Sequence, residues 1–190
     1  MKTLLKEISQ CRVCDKHLAL GARPIVTASM NSRIVIVGQA PGIAVHNSGI
    51  PWNDKSGDNL RNWMDISRDE FYDVDKFAII PMGFCYPGKG KSGDLPPRKE
   101  CAPLWHKKLF DNMPNIRLIM LIGKYAHNYY LKSSSKLSLT DTVKNYHEYL
   151  PEYFVLPHPS PLNNIWQKRN EWFKQDVVPD MRSVVKSIIK

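Results

Sequence analysis

The sequence predicts an α/β protein: a three-layer α/β/α sandwich around a central, mostly parallel four-stranded sheet. Three observations predict it. Four short runs are apolar at consecutive rather than alternate positions, as strands buried on both faces require. Segments of helical periodicity separate those runs. Three of the four runs lead straight into stretches rich in Gly, Pro or polar residues, and in a parallel sheet all four such stretches open on one edge, where ligands bind.

The elements follow in order. Lys2–Gln10 reads as a short helix. Arg33–Val37 is the first strand and ends in "GQAPG", Gly38, Gln39, Ala40, Pro41 and Gly42. Ser56–Met64 is a helix, with Ser56 as its N-cap and Asp58 facing its positive end. Asp54 then lies ahead of the cap, in the loop, where it is freer to meet a ligand. Phe77–Pro81 is the second strand, followed by "MGFCYPGKGKSGDLPP". Helical periodicity spans Arg98–Asn112. Leu118–Ile122 is the third strand and Lys124–Leu131 the helix after it. A helix over roughly Thr140–Leu150 precedes the last strand, Tyr153–Leu156, which runs into "PHPSPLNN". Asn170–Ile189 closes the chain as a helix, with a break expected near Pro179.

Hydrophobic residues make up 43% of the 190 residues, enough to bury a core at this length, and residues 1–190 read as a single domain. The chain has no apolar run of the roughly eighteen residues that a membrane helix needs. Its start lacks an apolar signal-peptide core, so a soluble, cytoplasmic protein with no membrane contact is expected. The net charge of +9 favours a polyanionic partner, because each Lys or Arg laid on a phosphate releases counterions. Solubility alone would also use that charge.

Several groups could carry chemistry. Cys11 and Cys14 form a C-x2-C pair, and Cys85 and Cys101 follow with fifteen residues between them. Four thiolates gathered from three places suit a [4Fe–4S] cluster or a structural zinc; buried, inert thiols are the plain alternative. His158 sits between two prolines just after a strand. It is either an ordinary histidine in a stiff turn or a fixed imidazole aimed at the sheet edge. Trp52 is either a plug in the core or a platform on which a flat ligand stacks. Lys89 and Lys91 lie among glycines in a segment that is either a flexible linker or a loop gripping phosphate.

Taken in order, five stretches resemble the iron–sulfur branches, families 4 and 5, of the uracil-DNA glycosylase superfamily. They are "LLKEISQCRVCDKHLALG", "IVIVGQAPG", "IPWNDKSGDNL", "CYPGKGKSGDLPPRKEC" and "HPSPLNN". The resemblance implies an enzyme that flips a uracil, or another deaminated base, out of DNA and hydrolyses its glycosidic bond. It implies Trp52 beneath the base and His158 hydrogen-bonded to the oxygen that gathers negative charge. The backbone of residues 38–42 would hold base and water, with Ser160 and Asn163 in the second motif. It also implies a structural [4Fe–4S] cluster on Cys11, Cys14, Cys85 and Cys101, in preference to zinc, in a monomer bound to the nucleoid. Leu162, Ile165 and Trp166, with Lys168 and Arg169 beside them, match the loop that wedges into the vacated base stack, whereas Trp172 and Phe173 read as the apolar face of the C-terminal helix.

Two departures matter. Family 4 carries its acid at the second position of the first motif, where this chain has Gln39. The carboxylate that matches family 5 is Asp54, so Asp54 is the expected catalytic acid group and Asp58 the fallback. Family 4 also places an Asn four residues before the third cysteine to read the uracil edge; here that position is Pro81. A module that keeps the fold and the cluster but only senses damage is the alternative to an enzyme.

Overall fold

The computed structural model describes residues 1–91, 93–131 and 137–190. Helix α1 (Lys2–Ser9) leads by way of the first two cysteines to strand β1 (Ile34–Val37). Then come α2 (Ile43–Ser48), α3 (Lys55–Met64), α4 (Arg68–Tyr72) and β2 (Phe77–Ile79). A small hairpin, β3 (Lys89–Gly90) and β4 (Gly93–Asp94), precedes α5 (Lys107–Asp111). The chain continues through β5 (Leu118–Ile122), α6 (Lys124–Tyr130), α7 (Leu139–Lys144) and β6 (Tyr153–Leu156). It ends with α8 (Asn164–Arg169) and α9 (Val178–Ile189).

The main sheet has the order β2-β1-β5-β6, and every pairing in it is parallel. All four residues of β1 are buried, so both faces of the sheet centre are covered by helices. The α/β/α sandwich is therefore the observed fold. Its parallel order brings the C-terminal ends of β1, β2, β5 and β6 to one edge, and the site is built there.

Within the sheet, β1 starts at Ile34 rather than Arg33 and β2 ends at Ile79 rather than Pro81; the other differences from the sequence reading lie outside it. Helices α2 and α4, six and five residues long, are too short to show periodicity. Helix α4 does carry a legible signal, a reciprocal capping box between Ser67 and Glu70. The expected helix from Arg98 starts later, as a π-helical turn over Ala102–His106. The helix expected to Leu150 tightens into a 3-10 turn over Tyr146–Tyr149. The break expected at Pro179 is absent. A π-helical turn, Phe173–Val177, runs directly into α9, and this local change of winding just before Pro179 accommodates the proline within a continuous helix. Trp172 and Phe173 serve the core, as their spacing indicated.

Two buried histidines hold the sheet's surroundings. His106 meets the Tyr130 hydroxyl through Nδ1 and the Pro81 carbonyl, at 3.1 Å, through Nε2. His127 donates from Nε2 to the Leu121 carbonyl at 3.0 Å. A carbonyl only accepts, so in both rings Nε2 carries the proton. Burial pushes both histidines down to about 4. Unfolding returns them to about 6.5, so stability is complete above that pH and is lost as pH falls toward 4. At pH 5 the unfolding free energy should fall with acidification at a slope of nearly two protons taken up, about 2.4 kcal/mol per pH unit. Denaturant titrations at pH 5.5 and 4.5 measure it; an uptake below one proton would contradict the burial of these rings.

Candidate active site

The turn after β1 is strapped to the segment after β2. The Met82 and Gly83 amides donate to the carbonyls of Gly38 and Gln39 at 2.9 and 3.0 Å. Among the described residues the Gln39 amide has no hydrogen-bond partner, so its side chain remains available.

Trp52 stands above this turn in an uncommon conformation, with φ +55°. A non-glycine residue there costs of order 1–3 kcal/mol and persists only where its surroundings hold it. Those surroundings are specific. Arg61 donates to the Trp52 carbonyl at 3.2 Å and is paired with Asp58 at 2.6 Å. Gly57 lies so close beneath that a Cβ there would fall 1.7 Å from the Trp52 carbonyl oxygen. The indole is pressed onto Gly38, where a Cβ would come within 2.8 Å of the ring. On its other side the ring lies 5.6 Å from the His158 imidazole, tilted by 30°. Trp52 is thus both half-buried packing and a cavity wall.

Asp54 corrects the sequence reading. It is itself the N-cap of α3, accepting from the Gly57 amide at 2.8 Å through Oδ1, and Ser56 lies inside the first turn. Both residue types cap helices and they are two positions apart, so only the backbone geometry chooses between them. Asp58 pairs with Arg61 and does not line the cavity. Capping occupies one Asp54 oxygen and fixes the carboxylate, which still faces the cavity.

His158 is held from four directions. The Ser160 amide donates to Nδ1 at 3.2 Å. Asn163 donates to the His158 carbonyl at 2.7 Å, and Asn59, on α3, donates to the Pro159 carbonyl at 2.8 Å. Gly123 lies beside it, where an added Cβ would fall 3.6 Å from the His158 Cβ. A backbone amide can only donate, so Nδ1 accepts and the proton of the neutral ring sits on Nε2. Burial holds the imidazole below its usual range, and the Asp54 charge opposes that only in part. His158 is therefore a neutral Nε2–H donor at pH 7.

One cavity of about 420 Å³ gathers these groups. The ten residues that the resemblance places around base, sugar and water line it: the 38–42 turn, Trp52, Asp54, His158, Ser160 and Asn163. Ser160 and Asn163 act mainly on the loop itself. Ser160 caps the short 3-10 turn that follows it, and Asn163 holds the His158 carbonyl. Pro81 lines the cavity too, with its carbonyl taken by His106. Sequence reasoning missed Asn59, which lies inside the third of the resembling stretches but takes no role from the resemblance, and Asp94, which reaches the cavity from the hairpin. Leu162 lines the cavity and is 84% exposed; Ile165, one turn on, is 64% exposed. Trp166 is bonded to Thr140 and packed on Trp172, so it is not part of this exposed pair.

The four cysteines are all free and line a second, apolar cavity with Phe84, Trp105 and Arg98. Burial raises the thiols of Cys14, Cys85 and Cys101, the last two to about 11 and about 12. Among the described residues no three His, Cys, Asp or Glu side chains are arranged to hold a single metal ion. No described helix is long and apolar enough to cross a membrane.

A solution NMR structure from Methanosarcina acetivorans, of a protein provisionally assigned as a uracil DNA glycosylase, is similar in shape. It matches 84% of this chain and 94% of its own at 18% identity, with a TM-score of 0.44. The family model described as the uracil DNA glycosylase superfamily matches residues 25–182. That span takes in the whole sheet, the 38–42 turn, Trp52, Asp54 and His158, and by this match the chain belongs to the uracil DNA glycosylase superfamily.

Proposed function

We infer that the protein is a DNA glycosylase that removes uracil or another deaminated base by hydrolysis. The observation that carries this reading is the meeting of Asp54 and His158 in one cavity, with the 38–42 turn and the Trp52 ring beside them. The bond from sugar to base breaks heterolytically, leaving a cationic sugar and a base that takes the electron pair. The His158 Nε2–H hydrogen-bonds the base oxygen where that charge gathers, from a ring already held in place. Asp54 stabilises the cationic sugar; water adds to it, and its proton is passed on to the departing base through Asp54 or solvent. Leu162 fills the stack that the extruded base vacates. Lys89 and Lys91, exposed on the hairpin, contact backbone phosphate.

The cysteine centre suits an iron–sulfur cluster. All four donors are thiols, the soft ligands that iron–sulfur clusters take, and Phe84 and Trp105 are among the residues around them. A single zinc ion needs its ligands in a tight tetrahedron about 2.3 Å from the metal, whereas a four-iron cluster holds its ligands further apart. Cys11, Cys14, Cys85 and Cys101 would hold it. Bound there, it would cross-link the N-terminal segment to the loop that carries the hairpin, a structural service.

The capping bond of Asp54 favours a second reading, a DNA-binding module without catalysis, in which Asp54 serves the helix alone. Labelled single- and double-stranded DNA carrying uracil, hypoxanthine or xanthine, treated with alkali after incubation, decides between the two. The enzyme should leave abasic sites at one lesion. Asp54→Asn, which keeps an acceptor for the Gly57 amide, should bind that DNA but lose base release by about a hundredfold or more. DNA binding with no release at any lesion would establish the module. Iron and sulfide content of the same preparation separates cluster from zinc.

A further inference from the structure

We propose that Asp94 is a specificity-determining residue of this site, reading the ring N–H by which a deaminated base differs from its parent. The inference rests on the glycosylase reading above. It starts from what position 81 cannot do. Pro81 lines the cavity but has no amide hydrogen and no polar side chain, and its carbonyl accepts from His106 at 3.1 Å. Most polar side chains around the cavity are also committed. Asp54 caps α3, Ser160 caps the 3-10 turn, Asn163 holds the His158 carbonyl, and His158 serves the charged oxygen.

Besides the Ser56 hydroxyl, which can donate or accept and so does not discriminate, two groups stand apart from these. The Gln39 amide has no partner among the described residues. The Asp94 carboxylate has one long contact, from the Tyr86 hydroxyl to Oδ1 at 3.4 Å. Its Oδ2 hangs over the turn after β1, 3.4 Å from where a Cβ on Gly42 would sit. Gln39 and Asp94 thus approach the cavity from the β1 turn and from the hairpin.

The chemistry of that pair is asymmetric. Deamination replaces an amino group and a ring-nitrogen lone pair by a carbonyl and a ring N–H. Uracil, hypoxanthine and xanthine all present this carbonyl beside an N–H. Gln39 donates to the carbonyl and Asp94 accepts from the N–H. With the parent base, the Gln39 amide can turn over and still make a hydrogen bond. An ionised carboxylate cannot, because it is an acceptor only and meets a lone pair. Discrimination is therefore assigned to Asp94, with Gln39 as an adaptable neighbour. Asp94 is exposed in the free protein, so it rejects an analogue lacking the N–H once the bound base covers the carboxylate and leaves it unpaired.

The probe is DNA carrying 3-methyluracil, in which a methyl group replaces the ring N–H, compared with uracil in the same sequence. The wild-type protein should release uracil at least about tenfold faster, the range of one hydrogen bond to a charged group. Asp94→Ala should bring the two rates within about twofold of each other. Asp94→Asn, of the same shape and able to turn over, should admit cytosine to measurable release. An unchanged ratio in both variants, with uracil still released, overturns the assignment of Asp94 and leaves the glycosylase reading intact. Equal loss on both substrates places the carboxylate at the sugar or the water and also overturns it. A wild-type protein that releases no base from these DNAs, nor hypoxanthine or xanthine from theirs, removes the glycosylase reading, and this inference with it.

Discussion

Gly57→Ala is expected to destabilise the protein by about 3 kcal/mol or more and to displace Trp52 from the site. The added methyl would lie 1.7 Å from the Trp52 carbonyl oxygen and 2.6 Å from its carbonyl carbon. Backbone is on both sides of this contact, so no side-chain rotation relieves it. Either α3 withdraws or the Trp52 segment does. The second movement breaks the Arg61 bond to the Trp52 carbonyl and frees a residue already held at φ +55°. Asp54 caps α3 through the Gly57 amide itself, so the carboxylate would move as well. Denaturant unfolding should show the loss, and the indole's fluorescence should change even at temperatures where the variant stays folded. Ser56→Ala, one position away and free of such overlap, should stay within about 0.5 kcal/mol of the parent. A Gly57→Ala protein as stable as that control would mean that the helix and the loop are not packed as described.

His158→Ala should reduce base release by about a hundred- to a thousandfold while leaving DNA binding largely intact, since removing one donor to a developing oxyanion costs that much. The geometry also makes a claim about pH. Nδ1 accepts from the Ser160 amide, and burial holds the ring's titration below its ordinary value of 6.5. A group whose folded pKa is lowered stays neutral above the unfolded value. The ring is therefore an unchanging donor from pH 6.5 upward, and the single-turnover rate should be flat between pH 6.5 and 8. Protonation at lower pH would put a hydrogen on Nδ1 against the Ser160 N–H and disturb the loop. A rate that climbs as pH falls from 8 to 6, following imidazole protonation, would make His158 a proton donor and refute the neutral-donor role.

The strands were legible because burial on both faces writes itself into consecutive residues. Ile34–Val37, Leu118–Ile122 and Tyr153–Leu156 need no tertiary context to be recognised. The edge on which the site forms was legible for the same reason: parallel strands put their following loops together. The helix cap was not. Ser56 and Asp54 are both good caps, and the choice fell to Asp54 because Gly57 is drawn against the Trp52 backbone, which aims its amide at Asp54. The hairpin was not legible either. Two-residue strands carry no alternation, so Asp94 read as part of a basic, glycine-rich loop.

By itself the sequence determined the layered α/β fold, the identity of the chemical groups and the edge of the sheet where they gather. Those properties follow from local patterns: apolar runs, turn residues and residue type. Tertiary structure alone decided how each group is used. Asp54 caps a helix while facing the cavity, His158 is locked in one tautomer, the Pro81 carbonyl is consumed by His106, and Asp94 swings in from the hairpin. Each of these is a contact between segments distant along the chain. Which lone pair or proton remains available is settled only when the partner arrives in space.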